Sequence, residues 1–193
     1  MKVLIACEFS GTVRDAFIAK GHEAWSCDIL PTEATGNHLQ CDVLDVINDG
    51  WDMIIAHPPC TRLANSGVRW LNERNLWHKL EAAIEFFNKI GNADCPKIAR
   101  ENPIPHKYAV QGIEGRQGIG KYDQIIQPYQ FGHTTSKATC LWLKGLPLLR
   151  STQLIPKSSI TYEIHKASPT ENRWKARSKT FQGIADAMAD QWG

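Results

Sequence analysis

The sequence predicts an α/β fold in which a mainly parallel central sheet is flanked by helices. Short runs of branched apolar residues alternate along the chain with stretches whose apolar residues recur at helical spacing. Acidic residues and prolines follow directly after several of these apolar runs, at the strand ends where open α/β sheets bind ligands. The chain has 193 residues, and we expect residues 1–193 to form a single domain.

The first half of the chain supplies four predicted strands, over residues 2–7, 22–27, 40–43 and 52–56. A helix is predicted between the first two, over residues 13–20, because Gly21 follows it and glycine commonly ends helices. Pro58 and Pro59 end the fourth strand, since proline cannot donate a hydrogen bond to a strand ladder.

The second half opens with a long amphipathic helix, predicted over residues 73–90 from the helical spacing of Leu76, Leu80, Ala83, Ile84 and Phe87. Further strands are predicted over residues 97–100, 124–130 and 139–144, and a closing helix over residues 183–192. The glycine-rich stretch 111–120 is expected to be a loop that either closes over a bound partner or merely connects its neighbours. The Ser-, Thr- and Pro-rich stretch 151–170 is expected to be a loop as well.

Charge and composition exclude several classes of protein. The formal net charge is only +2, so nucleic-acid binding would need a local basic patch rather than a basic surface overall. Lys2 and Glu8 flank the first apolar run, which therefore does not resemble a secretory signal, and no apolar run approaches the roughly 20 residues that span a bilayer. The six cysteines lack paired spacing, so we predict a cytoplasmic protein with reduced thiols and no metal site.

Four short motifs follow predicted strands in a suggestive order: Ser10-Gly11, Asp28, Pro58-Pro59-Cys60 and Glu101-Asn102. Together they fit a nucleoside-cofactor site, in which a helix N-terminus faces an anionic group and an acid takes the ribose hydroxyls. Each motif also has a plainer interpretation. The glycine turn can simply connect two elements, the acid can be a solvated loop residue, Cys60 can be a packed thiol, and Glu101 can pair with Arg100.

These motifs resemble the conserved segments of the DNA cytosine-5 methyltransferases. Residues 6–11, 25–29 and 41–46 are similar to the cofactor-binding segments of that family, and residues 52–60 to its catalytic strand and loop. Residues 100–103 are similar to its Glu-Asn-Val segment, with Pro103 in place of valine. The resemblance covers most of the chain, and Pro-Pro-Cys followed by Glu-Asn is its most specific part. It implies the Rossmann-like methyltransferase fold, with S-adenosyl-L-methionine as cofactor.

The resemblance implies that Cys60 is the nucleophile and Glu101 the acid that acts at N3 of the cytosine ring. C5 of cytosine is too poor a nucleophile to attack a methyl sulfonium until a thiolate adds at C6. An acid at N3 then stabilises the charge that develops on the ring. His57 is expected to support these residues. The residues expected to bind the cofactor are Glu8, Phe9, Ser10, Gly11, Asp28, Ile29, Asp42, Val43, Pro58, Ser178 and Thr180.

The chain departs from the family in two ways. There is too little sequence for a separate target-recognition domain, and Lys137 alone stands where the family has an Arg-x-Arg segment. Low sequence specificity is therefore expected, because sequence readout needs several side chains in a groove. Such an enzyme suits a phage that modifies its whole genome to evade restriction. Contact with double-stranded DNA, with the target base flipped out, is expected from Lys137, Arg173, Lys175, Arg177 and Lys179.

Other interpretations stay open from the sequence. The substrate could instead be a free nucleotide, RNA or a modified base, and the transferred group could differ from methyl. The chain could also be a non-catalytic DNA-binding relic of the fold, or a nucleotide-binding enzyme unrelated to methyl transfer. A homodimer that completes a DNA cleft is a further hypothesis.

Overall fold

The computed structural model describes residues 1–161 and 173–193, except the side chains of Arg173, Trp174 and Ala176. Within this part the chain forms one seven-stranded sheet in the order β3-β2-β1-β4-β5-β7-β6. The strands are β1 (Lys2–Ala6), β2 (Glu23–Asp28), β3 (His38–Gln40), β4 (Met53–Ala56), β5 (Lys97–Pro103), β6 (Gln124–Ile126) and β7 (Thr139–Lys144).

All strands run in one direction except β7. The strands from β3 across to β5 pair in parallel, whereas β7 pairs antiparallel with both β5 and β6. The chain order reverses beside β1, which has β2 on one side and β4 on the other, and ligands bind at such a switch point in open α/β sheets. The predicted α/β, Rossmann-like fold class with a mainly parallel sheet is confirmed.

Helices cover both faces of the sheet. They are α1 (Thr12–Ala19), α2 (Val43–Val46), α3 (Trp70–Glu73), α4 (Trp77–Gly91), α5 (Lys107–Gln111), α6 (Arg173–Ser178) and α7 (Gln182–Trp192), with single 3-10 turns at Asn65–Gly67, Pro128–Gln130 and Lys157–Ser159. Successive side chains along β1 point to opposite faces of the sheet. The hydrophobic core therefore has two parts, one on each face. Val3 and Ile5 pack with α1 and α7, whereas Leu4 and Ala6 pack with α2 and the end of α4.

Two predicted elements are wrong at their boundaries. The strand predicted over residues 40–43 ends at Gln40, because the Asp42 carboxylate accepts a hydrogen bond from Leu44 N (3.0 Å) and starts α2 instead. The helix predicted over residues 73–90 breaks before Trp77, where Asn75 adopts a left-handed backbone conformation with φ of 48°. A residue in that conformation cannot continue a right-handed helix.

The remaining elements match the prediction more closely. The first helix, the fourth and last strands and the closing helix are confirmed to within one residue, whereas β5 runs three residues further than predicted and β6 stops at Ile126. The glycine-rich stretch packs against the long helix, since Asn88 Nδ2 donates to Gly118 O (3.3 Å). Short helices α2, α5 and α6 were not predicted, because four to six residues are too few to show a helical period.

Among the described residues, no helix is both long enough and apolar enough to cross a membrane.

The break at Asn75 gives a stability prediction. Asn75→Ala places a Cβ-bearing residue without a local polar side chain in the left-handed region, so we expect a loss of about 1 kcal/mol in the free energy of unfolding. Asn75→Gly should cost nothing, because glycine adopts that conformation freely. Urea unfolding of both variants, with the exposed helical substitution Lys79→Ala as control, tests this. Equal midpoints for the Ala and Gly variants would contradict it.

Candidate functional site

The loops that follow β4 and β5 are joined by backbone hydrogen bonds. Asn65 N donates to Ile104 O (2.8 Å) and His106 N donates to Leu63 O (3.1 Å). Cys60 begins a tight turn in the first loop, where its carbonyl oxygen accepts from the amides of Leu63 and Ala64. The connection holds the loop that carries Cys60 against the strand end that carries Glu101.

The side chain of His106 reinforces this connection, and no sequence motif indicates it. The buried imidazole caps α5, because Nδ1 accepts from Ala109 N (3.1 Å). Nε2 lies 2.8 Å from Arg62 O and donates to it. Burial lowers the pKa of His106, although the bond to the Arg62 carbonyl opposes this. The ring is therefore neutral at neutral pH, with its hydrogen on Nε2.

The Cys60 thiol has charged neighbours of both signs. Burial raises the pKa of the Cys60 thiol and the charge of Glu101 raises it further, whereas Lys137 and Arg177 lower it. The raising effects prevail, so the group is a thiol at neutral pH. Glu101, Lys137 and Arg177 therefore all lie near enough to Cys60 for their charges to act on its thiol.

Glu101 lines a cleft at the carboxyl end of β5. The other residues of the cleft are His57, Ile126, Lys137, Thr139, Ser178, Thr180, Phe181, Ile184 and Met188. Ser178 and Thr180, both predicted to bind the cofactor, thus meet the predicted acid in one place. Glu101 does not pair with Arg100, whose guanidinium contacts the opposite side of β5, donating to Phe87 O (3.1 Å) and stacking on the Phe87 ring.

Glu8 is engaged with the start of α1. One carboxylate oxygen accepts from Val13 N (2.8 Å) and from Ser10 Oγ (3.2 Å), and the other accepts from Arg14 N (3.3 Å). Negative charge is favoured at a helix N-terminus. The buried Glu8 carboxylate thus occupies the helix N-terminus at which the sequence predicts an anionic group of a cofactor.

Arg14 is fully buried and fastens the loop between β2 and β3 over α1. Its guanidinium donates to Asp15 (2.7 Å), to Ser26 Oγ (3.1 Å) and to the carbonyl oxygen of Thr35 (2.8 Å). Gly11 leaves room for it, since a Cβ there would lie 2.5 Å from Nη2 of Arg14. Gly11 is therefore needed for packing as well as for its positive φ of 75°.

The residues predicted to hold a nucleoside meet beside β2. Asp28 and Asp42 both raise the pKa of the Cys7 thiol, after the larger effect of burial, so the two carboxylates lie near the same sulfur. Asp28 uses one oxygen to accept from Leu30 N (2.9 Å). Ile29 is 74% exposed, which is unusual for a large apolar side chain. Paired acids beside an exposed apolar surface suit ribose hydroxyls and an adenine ring. The side chains of Phe9, Val43 and Pro58 are buried.

The C-terminal basic residues are partly neutralised. Lys179 Nζ lies 2.6 Å from one oxygen of Glu33, and Lys175 Nζ lies 3.5 Å from the other. Lys137 Nζ donates to Arg177 O (2.7 Å), which ties α6 to the cleft. The side chain of Arg173 lies outside the described residues. Lys175 on α6 and Lys179 just after it thus already have an acidic partner in Glu33.

No group of three or more His, Cys, Asp or Glu side chains in residues 1–161 and 173–193 is arranged to hold a metal ion.

Comparisons with known proteins identify solved structures that are similar to this chain but no protein family that it matches. No protein-family model matches the chain, and no curated protein matches it. One similar solved structure is a candidate DNA modification methyltransferase encoded within a prophage (E. coli), with 16% identity, a TM-score of 0.49 and coverage of 81% of this chain. Another is the Entamoeba histolytica methyltransferase EhMeth, with 13% identity, a TM-score of 0.48 and 80% coverage. This chain spans 52% and 57% of the lengths of those two proteins.

The charges around Cys60 predict how its reactivity depends on pH. Because its pKa lies above the ordinary thiol value, the thiolate fraction should rise about tenfold per pH unit and still be rising at pH 9. Glu101→Gln should accelerate alkylation of Cys60 by iodoacetamide at pH 8, and Lys137→Met should slow it. Peptide mass spectrometry measures the rate at Cys60 alone. A rate that levels off below pH 8 would show that the surroundings lower the pKa instead.

His106 predicts a loss of stability in acid. Its folded-state pKa is below the ordinary histidine value, so its contribution is fully present above about pH 6.5 and is lost as the pH falls below that value. Protonation would put a hydrogen on Nδ1 facing the Ala109 amide. His106→Asn keeps a capping group that does not titrate. Urea unfolding at pH 7.5 and 5.0 measures the free energy of unfolding. Between these two pH values it should fall less for this variant than for the wild type. An equal fall would assign the acid sensitivity to other groups.

Proposed function

We propose that this chain transfers a methyl group from S-adenosyl-L-methionine to C5 of cytosine in double-stranded DNA, through a covalent bond between Cys60 and C6. The observation that supports the proposal is the cleft at the carboxyl end of β5, which contains Glu101, Lys137, Ser178 and Thr180. Cys60 lies near enough for the charges of Glu101 and Lys137 to act on its thiol. A thiol, an acid and a cation near one another are the groups that activation of a pyrimidine ring requires. We further propose that residues 1–193 act as one domain.

The first step is addition of Cys60 to the base. Cys60 loses its proton to solvent, and a sulfur lone pair forms the bond to C6 while the C5–C6 π electrons move toward C5. Glu101 gives a proton to N3 and keeps the electron pair of its O–H bond. Lys137 offsets negative charge in this environment, as its effect on the thiol shows. The ring then has a nucleophilic C5.

The second half of the reaction restores the ring. The cofactor, when bound, supplies an electrophilic methyl group that C5 attacks. Loss of the C5 proton to a solvent base then lets the electron pair reform the double bond, as the sulfur of Cys60 leaves with the electron pair of the C6–S bond. N3 returns its proton to the Glu101 carboxylate, which restores both groups. A thiolate leaves readily, which is one reason why cysteine suits the role.

The proposed cofactor contacts come from two places, the residues beside β2 and the cleft that contains Glu101. Asp28 would take the ribose hydroxyls, Ile29 would cover the adenine ring, and Asp42 would lie near the adenine edge. Ser178 and Thr180 would hold the amino-acid end, on the side of the cleft that faces Glu101. The start of α1 positions this site through Glu8 rather than binding the cofactor's anion with free amides.

DNA contact is proposed at Lys137, at the basic residues of α6 and at Lys179. Lys175 and Lys179 would have to exchange Glu33 for phosphate oxygens, which makes binding sensitive to salt. We further propose that the preferred sequence extends over one or two bases, because sequence readout needs several side chains in a groove. Because Glu33 already pairs with Lys175 and Lys179, fewer cations are free to bind phosphate groups. This favours a second candidate substrate, a free cytidine nucleotide, which carries fewer phosphates than a duplex.

Transfer of label from methyl-tritiated cofactor tests the function. The wild type should label cytosine in unmodified double-stranded DNA, and Cys60→Ser should abolish labelling while calorimetry shows unchanged cofactor binding. Glu101→Gln should reduce the rate by about 10²–10⁴-fold. Cys95→Ser, a control at the opposite end of β5, should remain active. Label on a free nucleotide but not on DNA would favour the second substrate. A wild-type protein that binds no S-adenosyl-L-methionine would contradict the proposed reaction on either substrate.

A further inference from the structure

Two arginines stack on one tryptophan in the segment that follows the Cys60 turn. The guanidinium carbon of Arg69 lies 4.3 Å from the centroid of the Trp70 ring, and that of Arg74 lies 4.0 Å from it. Both arginines are exposed, whereas the tryptophan is half-buried. These three residues are called the Arg-Trp-Arg cluster below. The reaction described above gives the cluster no part.

The chain between Cys60 and the cluster keeps the two close together. The amide of Ala64 closes the Cys60 turn, and its carbonyl oxygen accepts from Gly67 N (2.9 Å). Gly67 packs directly against this turn, because a Cβ at that position would clash with the carbonyl oxygen of Thr61. Trp70 begins α3 only three residues after Gly67. Three residues span at most about 11 Å, so the cluster lies beside the loop that carries the proposed nucleophile.

The charges of the cluster are not neutralised. Arg69 and Arg74 form no ion pair and no side-chain hydrogen bond within residues 1–161 and 173–193. Glu73, the acid of α3, is exposed and pairs with neither arginine. The basic residues near the C-terminus differ, since two of them share Glu33 as a partner. Arg69 and Arg74 are therefore available to bind an anion without first losing a carboxylate.

Stacking on Trp70 leaves the hydrogen-bond donors of the arginines accessible. A guanidinium group has five N–H donors in its own plane, and a ring against its face leaves the donors at its edge uncovered. The ring also restricts the long side chains, so less conformational entropy is lost when they bind a ligand. Phosphate oxygens suit this arrangement, because arginine binds phosphate through two parallel N–H···O bonds.

We propose that the Arg-Trp-Arg cluster binds the phosphate backbone of the DNA duplex beside the target base. The inference rests on the proposed function, which brings a duplex to Cys60. Phosphate contacts fix the position of a protein on a duplex and carry no sequence information themselves. Contacts so close to the Cys60 loop would hold the strand from which the target base turns out. A free nucleotide has no neighbouring phosphates and would not need the cluster.

The salt dependence of duplex binding tests the inference. A fluorescent duplex that contains cytosine is titrated with protein in the presence of S-adenosyl-L-homocysteine, which has no methyl group to transfer. Fluorescence anisotropy gives the dissociation constant at several salt concentrations. The double variant Arg69→Gln, Arg74→Gln should bind about tenfold or more weakly at low salt, and its slope of log affinity against log salt should fall by about two. Arg150→Gln, which removes another exposed and unpaired arginine, should keep the wild-type slope.

Two substitutions of Trp70 separate stacking from charge. Trp70→Leu keeps both arginines but removes the ring, so duplex binding should weaken severalfold. Trp70→Phe keeps an aromatic face and should restore most of the loss. Melting temperature and calorimetric binding of S-adenosyl-L-homocysteine confirm that each variant is folded.

An unchanged salt slope in the double variant, or a loss of affinity no larger than that of Arg150→Gln, would overturn the inference while the proposed function stands. A wild-type protein that binds no duplex at low salt would overturn the inference and the proposed DNA substrate together. Methyl transfer to a free nucleotide would then be the reaction to test.

Discussion

The candidate site depends on the connection between the loops that follow β4 and β5. Cys60 lies on one loop and Glu101 at the base of the other, and two backbone hydrogen bonds join the loops. His106 holds the same connection through the Arg62 carbonyl and the Ala109 amide. A nucleophile and an acid act on one ring only when their separation is held closely. Under the proposed function, the buried His106 helps to hold the separation between Cys60 and Glu101.

The charges around Cys60 oppose one another. The negative charge of Glu101 raises the pKa of the Cys60 thiol, whereas Lys137 and Arg177 lower it. Burial has the largest effect and also raises this pKa. In the proposed reaction Cys60 must therefore lose its proton against the effect of burial, and Lys137 and Arg177 are the cations that assist it.

The sequence predicts the α/β class and the strands at long apolar runs, because those signals are local. The prediction from sequence fails at two places where one residue changes the course of the backbone. Asp42 caps a helix where a strand was predicted. Asn75 interrupts the predicted long helix with a left-handed backbone conformation, although the apolar pattern continues through it. The roles of Arg14 and His106 depend on carbonyl groups more than 20 residues away in the chain. No local pattern contains such information. The sequence motifs single out Cys60 and Glu101, but they do not indicate the cleft in which Glu101 lies with His57 and Lys137.

The most direct test of the account is to locate the bond between protein and base. Wild-type protein would be incubated with S-adenosyl-L-methionine and a duplex containing 5-fluorocytosine, then digested and analysed by peptide mass spectrometry. The account predicts one nucleotide adduct, on the peptide that contains Cys60, formed only when the cofactor is present. An adduct on another cysteine, or methylated DNA from the Cys60→Ser variant, would contradict the assignment of Cys60 as the nucleophile.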